Sequence, residues 1–237
     1  MCGRFNATFD SGVKKLYTSL KINKVIDKPI DKRFVKAADT VSIVREKNNS
    51  RVVENAIWWL LLDNTENGFK PSKYTSFNTR FDKLNTPRSA GYHAYRHSRC
   101  VIAVKGFGET EFNDKKPVHY FDMAADSGGI LLGGLARDWV NKQTGEVTTS
   151  CSVITLPPHE KLKHIHSKAM PLILPQNESL INRWLNTTFI NTEHFKPLLH
   201  PHIPQRLIAQ QIDKPKTHNA INPPELITPD NSYLIEH

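Results

Sequence analysis

The chain has 237 residues, which is enough for one generous domain or at most two small ones. Its 38% hydrophobic and 23% charged residues are typical of a soluble protein, and no stretch approaches the roughly 20 apolar residues of a membrane span. Lysine and arginine (32) outnumber aspartate and glutamate (23), and the net charge of +9 favours polyanionic partners such as nucleic acid.

The cysteines and the chain start bear on the cellular compartment. The three cysteines are Cys2, Cys100 and Cys151, and their odd number without CxxC spacing argues against a disulfide framework or a zinc cluster. No apolar segment follows Met1, so we expect no signal peptide and a cytoplasmic location.

The predicted elements begin with a helix, because the apolar positions from Val13 to Leu20 recur at helical spacing behind a Ser11 cap. A polar loop is expected over residues 63–76, a basic, aromatic loop over residues 83–99, and a second helix from Asn177. Many short strands with two or three helices predict one α+β domain over residues 1–237, built on a largely antiparallel, barrel-like sheet. The segments expected to form strands are residues 40–45, 51–62, 100–104, 117–123, 130–136, 150–155, 171–174 and 206–211.

The opening segment, Met-Cys-Gly-Arg-Phe, carries distinctive chemistry. Aminopeptidases remove Met1 when the second residue is small, and the chain would then begin with the amine and the thiol of Cys2 on adjacent carbons. Both groups titrate near neutrality, at roughly 7.7–8.0 and about 8.5, so each nucleophile is available at cellular pH. Such a pair captures an aldehyde as a Schiff base and closes a thiazolidine ring on it. The alternative, that Cys2 is simply the residue after the start, stays open at this point.

Three further segments hold polar side chains that suit a catalytic site. Glu109 follows a buried strand and a Gly-Phe-Gly segment whose glycines would let the backbone approach a ligand closely. Glu111 would share its strand face, so the strand pattern does not choose between the two carboxylates. Asn78 and Arg80 lie on one face of an extended segment, where an amide orients polar groups and a guanidinium binds phosphate. His166 stands before a predicted strand, where catalytic groups often project.

Eleven histidines raise the question of a metal site. None of the pairs with ligand-like spacing comes with a second cysteine or a carboxylate cluster, so a structural role is favoured, and we expect no metal ion and no cofactor. These pairs are His93/His97, His164/His166 and His200/His202.

Together these segments resemble the SRAP family, the SOS-response-associated peptidase-like proteins that process abasic sites in DNA. The matching elements come in the family's order and run from residue 1 to about 175, with a weaker echo over residues 206–227. The opening segment is specific, the others are individually weak, and the match favours Glu109 over Glu111. The other matching segments are Asn78-Thr79-Arg80, Gly106-Phe107-Gly108-Glu109, Ser152-Val153-Ile154-Thr155, Ile165-His166 and Met170-Pro171-Leu172-Ile173-Leu174.

The resemblance implies a function and a role for each site residue. The amine of Cys2 would attack the C1′ aldehyde of an abasic deoxyribose in single-stranded DNA, and its thiol would close a thiazolidine, leaving a protein–DNA crosslink. The family's asparagine would position the cysteine and the sugar, its glutamate and histidine would carry protons, and its arginines would hold the flanking phosphates. AP-lyase cleavage by β-elimination and autocatalytic peptidase activity are further family activities. We expect a monomer that associates with the nucleoid, acts in DNA repair and does not bind a membrane. The implied catalytic residues are Cys2, Asn78, Glu109 and His166, and the implied DNA-binding residues are Arg4 and Arg80.

The sequence also departs from the family pattern around the site. Residues 34–38 lack the asparagine and the proline of the family's Tyr-Asn-x-Ala-Pro stretch. Trp58-Trp59 stands where Trp-Gly is usual, and residues 60–76 replace a tryptophan-bearing loop. Residues 167–169 lengthen the histidine motif by about one residue and remove its arginine. The surface that contacts DNA around the lesion is therefore expected to differ.

Two other functions fit parts of the sequence. Class II glutamine amidotransferases also begin with a nucleophilic cysteine, but they continue with a hydrophobic residue, and no glutamine-pocket arginine or Asn-Gly segment occurs early in this chain. A basic single-stranded-DNA-binding module with an incidental Cys2 would bind in a salt-dependent way and leave no covalent linkage.

Overall fold

The computed structural model describes residues 3–66 and 68–231. Within these residues, β-branched and aromatic segments of the sequence form strands. The described α-helices are Ser11–Ser19 (α1), Tyr92–His97 (α2) and Glu178–Leu185 (α3). The described strands are Arg4–Ala7 (β1), Lys24–Val25 (β2), Lys32–Lys36 (β3), Thr40–Lys47 (β4), Ser50–Ile57 (β5), Leu62–Thr65 (β6), Gly68–Pro71 (β7), Asn78–Arg80 (β8), Arg99–Val104 (β9), Gly106–Asn113 (β10), Lys116–Ala125 (β11), Ile130–Val140 (β12), Val147–Leu156 (β13), Met170–Pro171 (β14), Leu207–Ile212 (β15) and Glu225–Ile227 (β16).

A closed five-stranded barrel forms the centre of the fold. Antiparallel pairing runs from β13 through β12, β9 and β4 to β5, and a parallel contact between Ser150 and Ile57 returns from β5 to β13. Every residue of β9 is buried, which explains why its sequence is almost continuously apolar. The predicted α+β fold with a mainly antiparallel, barrel-like sheet is confirmed.

A second antiparallel sheet brings the site-bearing strands together. Its order is β16-β15-β11-β10-β1-β3, and Arg4 on β1 lies opposite Gly108 on β10. The short strand β8 adds to the barrel sheet instead, where Asn78 pairs with Val153 of β13. Buried apolar side chains of both sheets form one core cluster. A single domain over residues 1–237 stays a prediction.

The two predicted helices are present, with one change at a cap. The carboxylate of Asp10 accepts a hydrogen bond from the backbone N–H of Val13 at 3.0 Å, so Asp10, and not Ser11, caps α1. Asn177 caps α3 as expected by accepting from Leu180 N–H at 2.9 Å. None of the helices in the described residues is long and apolar enough to cross a membrane.

Three local predictions were wrong. The predicted polar loop over residues 63–76 contains the β6–β7 hairpin, in which Phe69 packs against Trp139 of β12. The predicted loop over residues 83–99 contains α2, which buries Ala94 and Tyr95 although no side chain caps its start. The strand expected over residues 171–174 is shorter, and only Met170–Pro171 forms a regular strand there.

Candidate active site

Three of the predicted site residues come from separate elements and meet beside one cleft. Arg4 and His166 line an open cleft of about 610 Å³, together with Gly3, the first residue that the structure describes. Glu109 on β10 contacts both of them, through its carbonyl oxygen to Arg4 and through its carboxylate to His166. Cys2 lies outside the described residues, so its predicted role is untested by the geometry.

Glu109 and His166 form the buried centre of the site. Each is only 3% exposed, and Oε2 of Glu109 lies 3.8 Å from Nε2 of His166. Burial raises the pKa of Glu109 to about 7 and lowers the pKa of His166 to about 4, because each loses the hydration of its charged form. Near neutral pH, the histidine is therefore a neutral proton acceptor beside a carboxyl group that keeps its proton to a higher pH than an ordinary glutamate does.

Glu111 is the acidic neighbour on the other side of the imidazole ring. Its Oε2 lies 3.0 Å from Nδ1 of His166, and its carboxylate also accepts hydrogen bonds from the backbone N–H and the hydroxyl of Ser167, at 3.0 and 2.6 Å. Burial opposes ionisation of Glu111, but the bonds from Ser167 outweigh it and lower its pKa below the ordinary value. The shared strand face of Glu109 and Glu111, visible in the sequence, thus brings both carboxylates to one ring.

Arg4 is held by the sheet behind the site. It is 7% exposed and donates to the carboxylate of Asp122 at 2.9 Å, to Thr110 Oγ1 at 2.9 Å, and to backbone carbonyl oxygens of β10 and β11. Its side chain crosses Gly108, where any Cβ atom would overlap the guanidinium. The absence of a side chain at Gly108 therefore makes room for Arg4, and the predicted close approach to a ligand stays a prediction. Direct phosphate binding by Arg4 stays a prediction.

The β8 segment lies beside the cleft. Thr79 Oγ1 is 2.8 Å from Ser152 Oγ, which anchors β8 to β13, and Phe77 lines the cleft immediately before Asn78. Arg80 is exposed and forms two hydrogen bonds with the carboxylate of Asp82, at 2.8 and 3.0 Å. Neither Asn78 nor Arg80 is among the cleft-lining residues that the structure describes, and their roles stay predictions.

The cleft walls contain residues that the sequence patterns did not single out. Phe34 and Phe112 provide apolar surface, and Phe112 is 44% exposed at the end of β10. Lys115 and Lys168 add positive charge. Aromatic faces with nearby cations are typical of surfaces that bind single-stranded nucleic acid. Only the general excess of lysine and arginine in the sequence pointed to such a surface.

The other two cysteines are unsuited to nucleophilic chemistry. Cys100 and Cys151 are both fully buried in the barrel. Burial raises the pKa of Cys100 to about 12 and that of Cys151 well above its ordinary value, because a thiolate there would lose its hydration. Within residues 3–66 and 68–231, no group of three or more His, Cys, Asp or Glu side chains is arranged to hold a metal ion.

Comparison with known proteins gives a consistent family signal. The family model for SOS response associated peptidase (SRAP) matches residues 1–216. The chain is 25% identical over 235 residues to the abasic site processing protein YoaM of Bacillus subtilis. This alignment covers 98% of this chain and 99% of YoaM. It is 27% identical over 130 residues to the abasic site processing protein YoqW of Bacillus phage SPbeta, spanning 54% of this chain and 56% of YoqW. The abasic site processing protein YMR114C of Saccharomyces cerevisiae is 25% identical over 227 residues, spanning 85% of this chain and 60% of that protein.

Crystal structures of two bacterial proteins share the fold. A protein from Bacteroides thetaiotaomicron superposes with a TM-score of 0.69 at 17% identity, over 93% of this chain and 96% of that chain. A protein from Bordetella bronchiseptica superposes with a TM-score of 0.67 at 18% identity, over 90% of this chain and 100% of that chain. At these identities the similarity establishes the fold alone.

Proposed function

This chain belongs to the SOS response associated peptidase (SRAP) family, and on that basis we propose that it captures abasic sites in single-stranded DNA covalently through Cys2. The observation that carries the proposal is the pair of buried proton carriers, Glu109 and His166, at a cleft that Gly3 also lines. Gly3 directly follows Cys2 in the chain. The relatives named as abasic site processing proteins support the same substrate.

The proposed reaction needs a nucleophile, a proton acceptor and a proton donor. The α-amine of Cys2 adds to the C1′ aldehyde of the ring-opened abasic sugar, and loss of one water leaves a Schiff base. The thiol then adds across the C=N bond, its proton goes to nitrogen, and a thiazolidine results with no other atom gained or lost. His166 Nε2 accepts the amine proton, and the protonated fraction of Glu109 donates to the departing hydroxyl group. Both roles follow from a neutral imidazole beside a carboxyl group with a pKa near 7.

Two further activities belong to the same proposal. While the Schiff base persists, removal of a C2′ proton expels the 3′ phosphate by β-elimination, which is AP-lyase cleavage. Closure of the thiazolidine removes the Schiff base and so competes with cleavage. Release of Met1 by the peptidase activity implied by the family would generate the reactive amine. If the protein released ammonia from glutamine and this release depended on Cys2, the amidotransferase alternative would be favoured instead.

The substrate strand is held by the charged edge of the cleft. Arg80 binds a flanking phosphate, and Asn78 on the same strand orients the sugar. Lys115 and Lys168 add positive charge on the other cleft walls. Arg4 contributes its charge at longer range, because its described hydrogen bonds already hold it to the sheet.

A crosslinking assay tests the proposal. The purified full chain is incubated with an abasic single-stranded oligonucleotide, and a band shift that resists SDS and heat is expected, with none on unmodified DNA. Cys2→Ala should abolish the shift, and so should a tag that leaves residues ahead of Cys2. The matched control is Cys151→Ala, because that thiol is buried and should not contribute. Equal crosslinking by Cys2→Ala and the wild type would disprove the proposed chemistry.

Variants of the proton carriers separate catalysis from binding. Glu109→Gln or His166→Ala should slow crosslinking by about 100-fold or more, the usual contribution of a positioned acid or base. Affinity for unmodified single-stranded DNA should stay nearly constant, because neither buried side chain offers a positive charge to phosphate. Parallel losses of rate and affinity would argue for a structural role.

The Arg80–Asp82 pair provides a test of phosphate binding. Arg80→Ala should weaken DNA binding and reduce its salt slope by about one. Asp82→Asn should strengthen binding, because the guanidinium no longer shares its donors with a carboxylate. The control is Glu178→Gln, which removes the acidic partner of exposed Lys21 in an ion pair that does not line the cleft. Equal effects of Asp82→Asn and Glu178→Gln would place Arg80 outside the DNA site.

A further inference from the structure

We propose that Glu111 is a positioning residue that fixes the proton of neutral His166 on Nδ1 and presents Nε2 as the proton acceptor toward Glu109. The tautomer assignment concerns the protein without DNA. Its kinetic consequence rests on the proposed abasic-site reaction.

The first support is the placement of the imidazole ring between two carboxylates. Glu111 Oε2 lies 3.0 Å from Nδ1, whereas Glu109 Oε2 lies 3.8 Å from Nε2. Glu109 and Glu111 are two residues apart on β10, so the strand period aims both at the same side of the sheet. The ring is 3% exposed and has little room to turn over.

The second support is the fixed protonation state of Glu111. Ser167 donates to both carboxylate oxygens, from its backbone N–H to Oε2 at 3.0 Å and from its hydroxyl to Oε1 at 2.6 Å. These bonds favour the ionised form, which only accepts hydrogen bonds. An ionised carboxylate 3.0 Å from Nδ1 favours the tautomer with the proton on that nitrogen, which leaves the lone pair on Nε2.

The third support is the contrast between the two glutamates. Glu109 is buried with a raised pKa, whereas Glu111 keeps a lowered pKa through Ser167. One carboxyl group is thus available as a proton donor, and the other serves as a permanent acceptor. Two carboxyl groups whose pKa values are shifted in opposite directions, on either side of one ring, are suited to directional proton transfer.

The remaining groups around His166 leave this assignment intact. Lys168, on the same segment, carries a positive charge that disfavours a charged imidazolium. Arg4 donates a hydrogen bond to the backbone carbonyl oxygen of Glu109. His119 of β11 lies 3.0 Å from the carbonyl oxygen of Ile165 and supports the backbone that precedes the ring.

The test reads the tautomer directly. Long-range ¹H–¹⁵N correlation NMR of histidine-labelled protein at pH 7, without DNA, should show the Nδ1–H tautomer for His166. Glu111→Ala should move the population toward the Nε2–H form, which an unrestrained histidine side chain prefers. Ser167→Ala, which removes only the hydroxyl donor, should give a smaller shift in the same direction. The control is Glu146→Ala, an exposed glutamate between β12 and β13, which should leave the spectrum unchanged.

Kinetics supply the second readout. Glu111→Ala should slow crosslinking at saturating abasic DNA by about 10- to 100-fold, the range expected when a reacting group is misplaced. Affinity for unmodified DNA should not fall, and the acid limb of the rate–pH profile should move to lower pH, because Glu111 raises the pKa of His166. A purely structural role would not move that limb.

The outcomes separate this proposal from the proposed function. An Nε2–H tautomer in the wild type, or a tautomer and rate unchanged by Glu111→Ala, would overturn the role of Glu111. If the wild type shows the Nδ1–H tautomer but never crosslinks abasic DNA, the proposed function fails and the role of Glu111 stands. If Glu111→Ala does not fold, Ser167→Ala still decides, because an unchanged tautomer population in that variant contradicts the proposal.

Discussion

Replacing the buried carboxyl group of Glu109 should change how protein stability depends on pH. Burial raises the pKa of Glu109 to about 7 from an ordinary 4.5. The folded state thus binds this proton more tightly than the unfolded state does. Its contribution to stability is complete below pH 4.5 and is lost as the pH rises through about 7. At about 1.4 kcal/mol for each pH unit, the whole effect is about 3 kcal/mol, and about 2.5 kcal/mol of it falls between pH 5 and pH 8.

Urea unfolding of the wild type and Glu109→Gln at pH 5 and pH 8 measures this effect. The glutamine variant cannot ionise, so its free energy of unfolding should gain about 2 to 3 kcal/mol relative to the wild type on going from pH 5 to pH 8. Glu146→Gln, an exposed site, should show a constant difference from the wild type at both pH values. A constant difference for Glu109→Gln as well would mean that the carboxyl group has an ordinary pKa. It would then be too acidic to donate a proton near neutral pH.

Three further changes test the surroundings of the site. In the folded protein at pH 8, a thiol reagent should react with at most one of the three cysteines, because Cys100 and Cys151 are buried. Reaction of two or more cysteines would contradict that burial. Arg99→Met should lower the free energy of unfolding by about 3 to 5 kcal/mol, because five backbone carbonyl oxygens lose a buried donor. A loss below about 0.5 kcal/mol in urea unfolding, which is typical of substitutions at exposed sites, would refute this. Gly108→Ala should cost about 1 to 3 kcal/mol in the same assay and slow crosslinking, because the new methyl group displaces the Arg4 guanidinium; unchanged stability and rate would show that Arg4 moves without consequence.

The elements that sequence patterns predicted are those whose stability is local. The apolar run of β9 identifies a strand buried on both faces, and Asn177 marks the start of α3 with a side chain that caps its own helix. The β6–β7 hairpin was missed because its strands are mostly polar and its clearest anchor is Phe69 against Trp139, a contact about 70 residues apart in sequence. No local pattern contains such a contact.

In the candidate site, too, the sequence reveals the types of the residues but not which residues contact each other. An acid, a histidine and an arginine were recognisable by type, but the positions of their partners depend on strand register. Register places Arg4 opposite Gly108 and so assigns the glycine to packing across two strands. The contact between Glu111 and the segment around His166 depends on the fold, because the Ser167 hydroxyl that donates to Glu111 lies 56 residues away in sequence.

One of the departures from the family pattern lies away from the cleft. The described residues between 60 and 76 do not line it, since their hairpin packs Phe69 on Trp139 instead. Phe112 and two lysines, Lys115 and Lys168, occupy the cleft walls. An ammonium group on a flexible stem holds phosphate as a point charge, whereas a guanidinium fixes its direction. If the proposed function is right, DNA beside the lesion would meet an aromatic face and two lysine side chains, which suits a flexible single strand more than a rigid duplex end.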